Sequence, residues 1–166
     1  MSEPTRDFDC PILCPAQCVE QAWIDYNGHM NMAFYNLLFD RALDHVYDLL
    51  GIGESYVRAG GGSCFTLEAH VNYLQELVLD DPVRVTFQLL DSDPKRLHFF
   101  EHMYHAEQGY LAATSEQLAL HVDMASRRAG PFPDDVMQRV DRLMALHEPL
   151  PRPEQAGRAM GIRRRS

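Results

Sequence analysis

Trp23-Ile24-Asp25-Tyr26-Asn27-Gly28-His29-Met30-Asn31 reads D-x-x-G-H-x-N, with a strand-like run before it and a long helical pattern after it. A carboxylate, a glycine turn, a histidine and a helix-capping asparagine fall within one short stretch. That spacing sets Asp25 at the mouth of a helix N-terminus, where backbone N–H groups without helical partners can polarise a carbonyl. An acid or base facing such an end is suited to acyl chemistry.

Working outward, residues 17–24 alternate weakly, with Cys18, Glu20 and Ala22 opposite Val19, Gln21 and Trp23, which predicts a first strand. Asn31 is placed to cap a helix over 32–50, where Phe34, Leu38, Ala42, Val46 and Leu49 or Leu50 follow the helical period and Tyr35, Phe39, Leu43 and Tyr47 widen the face. Asp40, Asp44 and Asp48 make the opposite stripe, beside Arg41 and His45. A helix apolar over so much of its girth predicts a sheet wrapped around it. Gly51-Ile52-Gly53 ends it. Four strand-like runs follow, at 65–73, 83–89, 97–105 and 110–124, the second and third separated by the Asp91-Ser92-Asp93-Pro94-Lys95 turn. A short amphipathic helix is expected over 134–146. One long helix and one antiparallel sheet give the α+β class. The lead-in, 1–14, reads as irregular. The segment 126–148 reads as a helical extension and 149–166 as a mobile tail rich in Pro and Arg.

The chain of 166 residues is most simply one domain, with enough apolar residues to bury a core. No run approaches the eighteen or so apolar residues of a membrane span. The N-terminal stretch lacks a basic and an apolar region of the signal-peptide kind, so the cytoplasm is the expected location. A formal charge of -9 argues against a general nucleic-acid role. Nearly all positive charge is arginine, which suits planar phosphate contacts, and Arg84, Lys95, Arg96, Arg127 and Arg128 are candidates for a local anion patch. Cys10, Cys14 and Cys18 are spaced C-x3-C-x3-C, which matches no paired-cysteine zinc pattern, and with Cys64 they read as reduced thiols. The run Gly60-Gly61-Gly62-Ser63 lacks the G-K-[ST] ending of a phosphate loop and reads as a lid or connection.

D-x-x-G-H-x-N, followed by a helix and four strands, resembles the hotdog-fold acyl-CoA thioesterases of the 4-hydroxybenzoyl-CoA thioesterase type. Glu68-x-x-Val71-x-Tyr73 also resembles that family's second-strand pattern. The similarity covers about residues 14–124, and the resemblance makes 15–125 the hotdog domain. It implies a sheet wrapped around one long central helix, subunits paired as a homodimer or homotetramer, and sites at the interface between subunits. It also implies that Asp25 is catalytic, that Gly28 makes the turn, that His29 and Asn31 shape turn and cap, and that the Met32 backbone N–H contacts the thioester oxygen. No cofactor or metal is implied beyond the CoA of the substrate, and no nucleic-acid or membrane partner. A second subgroup of the family places its catalytic glutamate within the long helix, where this chain has only aspartates on the polar stripe.

Thioester hydrolysis needs an activated water or a carboxylate nucleophile, and donors aimed at the developing oxyanion. Asp25 can meet the first need in either role, and the Met32 amide the second. Overall the chain looks most like betainyl-CoA thioesterases, which implies a trimethylammonium acyl group. Such a cation would suit an aromatic cage, for which Trp23, Tyr26, Phe34, Tyr35 and Tyr73 are the candidates.

Two other functions remain open from the sequence. Asp25-Tyr26-Asn27-Gly28-His29 is similar to the D-x-N-P-x-H of hotdog enoyl-CoA hydratases, although Gly28 replaces the proline and the histidine falls one residue early. A non-catalytic acyl-CoA-binding domain would carry the same fold. His98-Phe99-Phe100-Glu101-His102 reads H-x-x-E-H, a zinc motif when helical. The aromatic run after a turn predicts a strand instead, which separates the two histidines by about 13 Å.

Overall fold

The computed structural model describes residues 8–164. Seven strands and three α-helices follow the chain: β1 (Ile12–Leu13), β2 (Gln17–Cys18), a 3-10 turn (Gln21–Trp23), α1 (Met32–Leu50), α2 (Glu54–Arg58), β3 (Ser63–Tyr73), β4 (Pro82–Ser92), β5 (Arg96–His105), β6 (Leu111–Asp123), β7 (Arg128–Ala129) and α3 (Asp134–His147). The sheet runs β1-β4-β5-β6-β3 and is antiparallel at every pairing, with β2 also on β4 and β7 on β6. Among the described residues the outer edge of β3 carries no strand.

Helix α1 runs over the residues its period marks. Asn31 Oδ1 accepts the Ala33 N–H at 3.0 Å, and Gly51 closes the helix in the left-handed region at φ 78°. Its buried side chains, Tyr35, Leu38, Phe39, Ala42, Leu43, Val46 and Leu50, form one core with Phe87, Leu89, Leu97, Phe99 and Met103 on the concave face of the sheet. The α+β architecture expected from the sequence is the one observed.

Three expectations change. The run 17–24 is not one strand: pairing stops after Cys18, and the Gln21–Trp23 turn bends the chain inward so that Trp23 can be buried while Glu20, Gln21 and Ala22 stay exposed. The lead-in is not wholly irregular, because Ile12 and Leu13 pair with Phe87 and Thr86 and bury Ile12 against β4; residues 1–7 lie outside the described residues. Beyond β1 the β4 edge would leave a buried N–H at Leu89. Nδ1 of His147 on α3 accepts it at 2.8 Å, and burial holds that imidazole below its ordinary pKa.

The third change concerns the tail. Residues after Pro149 are laid across the convex face of the sheet: Gln88 Nε2 donates to the Pro151 carbonyl at 3.3 Å, and the Gly157 N–H donates to Glu116 Oε2 at 2.7 Å. Phe100 points to that face, outside the core cluster, yet is buried.

Candidate active site at the N-terminus of the long helix

The stretch 23–31 folds as a closed loop fixed by its own backbone. Asp25 N–H donates to the His29 carbonyl and Gly28 N–H to the Asp25 carbonyl, each at 3.0 Å. Ile24 and Met30 form an isolated antiparallel bridge, and Asn31 N–H donates to the Trp23 carbonyl at 2.9 Å. Gly28 sits at φ +81°, where a side chain would be strained although space is open around it. The loop is anchored to the body of the domain by Met30 N–H on the Leu77 carbonyl, at 2.8 Å.

This frame holds Asp25, half-buried, on the loop that leads directly into α1. Its Oδ1 accepts the Asn27 N–H at 2.8 Å, which sets its rotamer and leaves the second oxygen without a bond among the described residues. At the helix end, Ala33 N–H goes to Asn31 Oδ1 and Phe34 N–H to the Asn31 carbonyl. The Met32 N–H has no bond among the described residues, and the Met32 residue is 61 % exposed. One open carboxylate oxygen and one open helix-end donor therefore come from a single rigid element.

The Nε2 of His29 lies 3.0 Å from Glu76 Oε2, a contact that ties the loop to the segment after β3. Glu76 was not marked by any motif; its place opposite His29 follows from the fold alone.

The five rings do not form a cage within one protomer. Trp23 is buried, stacked on Phe34 at 5.6 Å with planes 13° apart, and already carries the Arg41 guanidinium at 5.3 Å from its ring centre. Tyr35 is a core residue whose hydroxyl accepts the buried Leu77 N–H at 3.1 Å, and burial pushes its phenol up to about 12. Tyr73 meets Tyr35 edge-on at 5.2 Å, and its hydroxyl donates to the Met32 carbonyl at 3.3 Å. Tyr26 is 97 % exposed at the tip of the loop. Tyr73, beside the Met32 carbonyl, and Tyr26 are exposed, and Phe34 is half-buried.

The H-x-x-E-H residues lie on β5, whose pleat sends Glu101 to the core side and His98 and His102 to the other; His98 Nε2 meets Glu116 Oε1 at 2.8 Å. The candidate anion patch divides. Lys95 and Arg96 lie at the β4–β5 turn, held near the β6–β7 turn of Arg127 and Arg128 by His121 N–H on the Lys95 carbonyl, whereas Arg84 stands at the far end of β4. Arg96 is also engaged by Asp93 Oδ2 at 2.6 Å.

Comparison with known proteins agrees with this fold. Residues 19–140 match the model of the thioesterase-like superfamily. The chain is 39 % identical over 162 residues to the betainyl-CoA thioesterase of Pseudomonas aeruginosa, covering 98 % of each chain. A Staphylococcus aureus protein solved in complex with CoA superposes with a TM-score of 0.85 at 30 % identity, covering 95 % of this chain and 99 % of that one. A putative thioesterase from Pseudomonas putida superposes at 0.81 with 36 % identity, covering 93 % and 98 %. The chain belongs to the thioesterase-like superfamily and is a hotdog-fold thioester hydrolase.

Proposed function

We propose that this protein hydrolyses a small acyl-CoA, betainyl-CoA being the favoured substrate, to the free acid and CoA. The observation that carries the reading is the pairing, on one hydrogen-bonded loop, of a carboxylate oxygen and a helix-end N–H that are both open. The Met32 N–H takes the thioester oxygen as it becomes an oxyanion, with the positive end of α1 behind it. Asp25 either draws a proton from water or attacks the carbonyl carbon itself, with CoA thiolate as the leaving group in both routes. Gly28 holds the loop, His29 braces it through Glu76, and Asn31 fixes the helix end. Tyr26, Phe34, Tyr35 and Tyr73 frame the acyl side, with Tyr35 acting through its grip on Leu77. The likeness to the Pseudomonas aeruginosa enzyme supports the choice of acyl group.

The site is open on the side of β3. Among the described residues nothing pairs with the outer edge of that eleven-residue strand, and Phe65, Leu67, Tyr73 and Leu74 are exposed along and just beyond it. Such an edge favours pairing with a second copy about a two-fold axis, which would close the site between protomers as a homodimer or a homotetramer. Catalysis needs no resident cofactor or metal in this scheme. The four free thiols accord with a reducing compartment such as the cytoplasm, and no described helix is long and apolar enough to cross a membrane.

The test is Asp25→Asn on a panel of acyl-CoAs, followed by release of free thiol and by enoyl absorbance. Loss of thiol release by a factor of a hundred or more, at unchanged circular dichroism, is expected for a group in direct contact with the reacting atoms, on the order of general acid–base effects. Turnover equal to the parent protein would remove Asp25 from the reaction.

A further inference from the structure

One turn after the open Met32 N–H stands the exposed amide of Asn36. Asn36 follows Met32 by four residues, so it shares that face of α1, about 6 Å further along the axis. Its side chain leans back towards the helix start, as helical side chains do. Asn36 Nδ2 donates to the Met32 carbonyl at 3.4 Å and to the Tyr73 hydroxyl at 3.2 Å. The Tyr73 hydroxyl donates in turn to the same carbonyl, at 3.3 Å. This triangle fixes which way the amide faces. A carbonyl oxygen only accepts, so the atom of Asn36 that meets Met32 must be the nitrogen. Both hydrogens of Nδ2 are thereby used, and Oδ1 has no bond among the described residues. Tyr73 is itself set edge-on against the buried ring of Tyr35 at 5.2 Å, so the triangle is anchored on the core. The start of α1 therefore carries two oriented, unfilled groups on one face: a donor at the Met32 nitrogen and an acceptor at Asn36 Oδ1.

We propose that Asn36 Oδ1 accepts the first amide N–H of the pantetheine arm of CoA, and so sets how far the thioester enters the site. The proposal rests on the Met32 oxyanion contact described under "Proposed function". A ligand matched to the two groups must offer a carbonyl oxygen and an N–H within about one helical turn, roughly 5–6 Å, of each other. An acyl-CoA has both. The first amide nitrogen of its arm lies four bonds from the thioester carbon, through sulfur and two methylenes, a span of about 5 Å when extended. The acyl side of betainyl-CoA has no N–H at all, so the acceptor serves the CoA side. With its oxygen on Met32 and its N–H on Asn36, the substrate is held on both sides of the sulfur. The scissile bond then cannot slide along the helix face, and the thioester carbon stays in register with Asp25.

The test uses full-length protein and two substrates with one acyl group, taken from whichever acyl-CoA of a panel is cleaved fastest. One is that acyl-CoA; the other is its analogue in which an ester oxygen replaces the single N–H. The parent is expected to show a kcat/KM about tenfold lower for the analogue, whose oxygen cannot donate and meets Oδ1 lone pair to lone pair. Asn36→Ala puts a strong helix former at an exposed helical position, so the fold is kept. It is expected to lose about tenfold on the acyl-CoA and nothing on the analogue, so that the two values converge. An amide that served only to hold Tyr73 and the helix start would slow both substrates alike and preserve their ratio, and that result overturns the proposal. A parent that does not distinguish the two substrates overturns it as well. Either result leaves the thioesterase reading standing, whereas cleavage of no acyl-CoA in the panel would remove both.

Discussion

Glu101→Gln should make this protein more stable at neutral pH than its parent, and less markedly so in mild acid. Burial, opposed by the Gln117 hydrogen bond and reinforced by the Asp40 charge, holds the Glu101 carboxyl well above the usual carboxylate range. In the unfolded chain the same group ionises near 4.5. Between those two values the folded protein binds one proton more than the unfolded chain, so stability falls as pH rises. The slope is at most about 1.4 kcal/mol per pH unit. From pH 5.5 to 7.5 the parent therefore loses up to roughly 2.7 kcal/mol through this residue, whereas glutamine, of the same shape and without a proton to lose, loses nothing. For a domain of this size the difference corresponds to a relative Tm gain on the order of 5–10 °C across that pH span. The other groups around Glu101 do not disturb the comparison. Burial and Glu101 itself keep the Cys14 thiol neutral, raised to about 12; Tyr47 is raised further above its ordinary value; and Asp44, raised by burial and then by Asp40, Asp48 and Glu54, is present in both proteins. Urea unfolding at the two pH values, at one fixed protein concentration, measures the effect. Parallel stabilities of the two proteins at both pH values would mean that Glu101 is ionised in the fold, and would refute the reasoning.

Three further outcomes follow from individual contacts. Gly28→Ala meets no steric neighbour but must hold alanine at φ +81°, so it should cost about 1–2 kcal/mol in denaturant unfolding and lower thiol release by disordering the Asp25 loop. Tyr35→Phe leaves the buried Leu77 N–H without its acceptor, a loss of about 1–3 kcal/mol, and amide exchange at Leu77 should accelerate more than at Leu38. Truncation after Glu148 strips the covering from Phe100, and should cost about 1.5–3 kcal/mol with increased binding of a hydrophobic dye.

The elements with long regular periods were legible in the sequence. Helix α1 and strands β3 to β6 were marked by runs in which each apolar residue agrees with the next, and Asn31 and Gly51 gave the helix its ends. The short pieces were not. Alternation over 17–24 looks like a strand, but the Trp23 carbonyl is needed by Asn31, and that long-range demand bends the chain. The loop carrying Asp25 was legible because Gly28, Asn27 and Asn31 act on their near neighbours. The aromatic cage was not, since closeness in sequence says nothing about which ring face is free, and Arg41 claims Trp23 from eighteen positions away. Glu101 was hidden inside a motif of another kind. Its signal was its position in phase with Phe99 and Met103, which marks it as a core-facing acid once β5 is recognised as a strand. The tail defeated composition-based reading because proline-rich backbone, with few partners of its own, can still be caught by Gln88, Glu116 and Asn72.

The lid that this polypeptide lays over its own back surface has a consequence for how large a particle it builds. A hotdog sheet has two adhesive regions, its bare edge and its convex side. Here the second is occupied from within, by residues that follow α3. For the edge pairing proposed above, a dyad uses up that edge once two copies have met, and any further stacking of pairs falls to the convex side. The covering that follows α3 is therefore the part of the chain whose removal bears on the choice between a homodimer and a homotetramer.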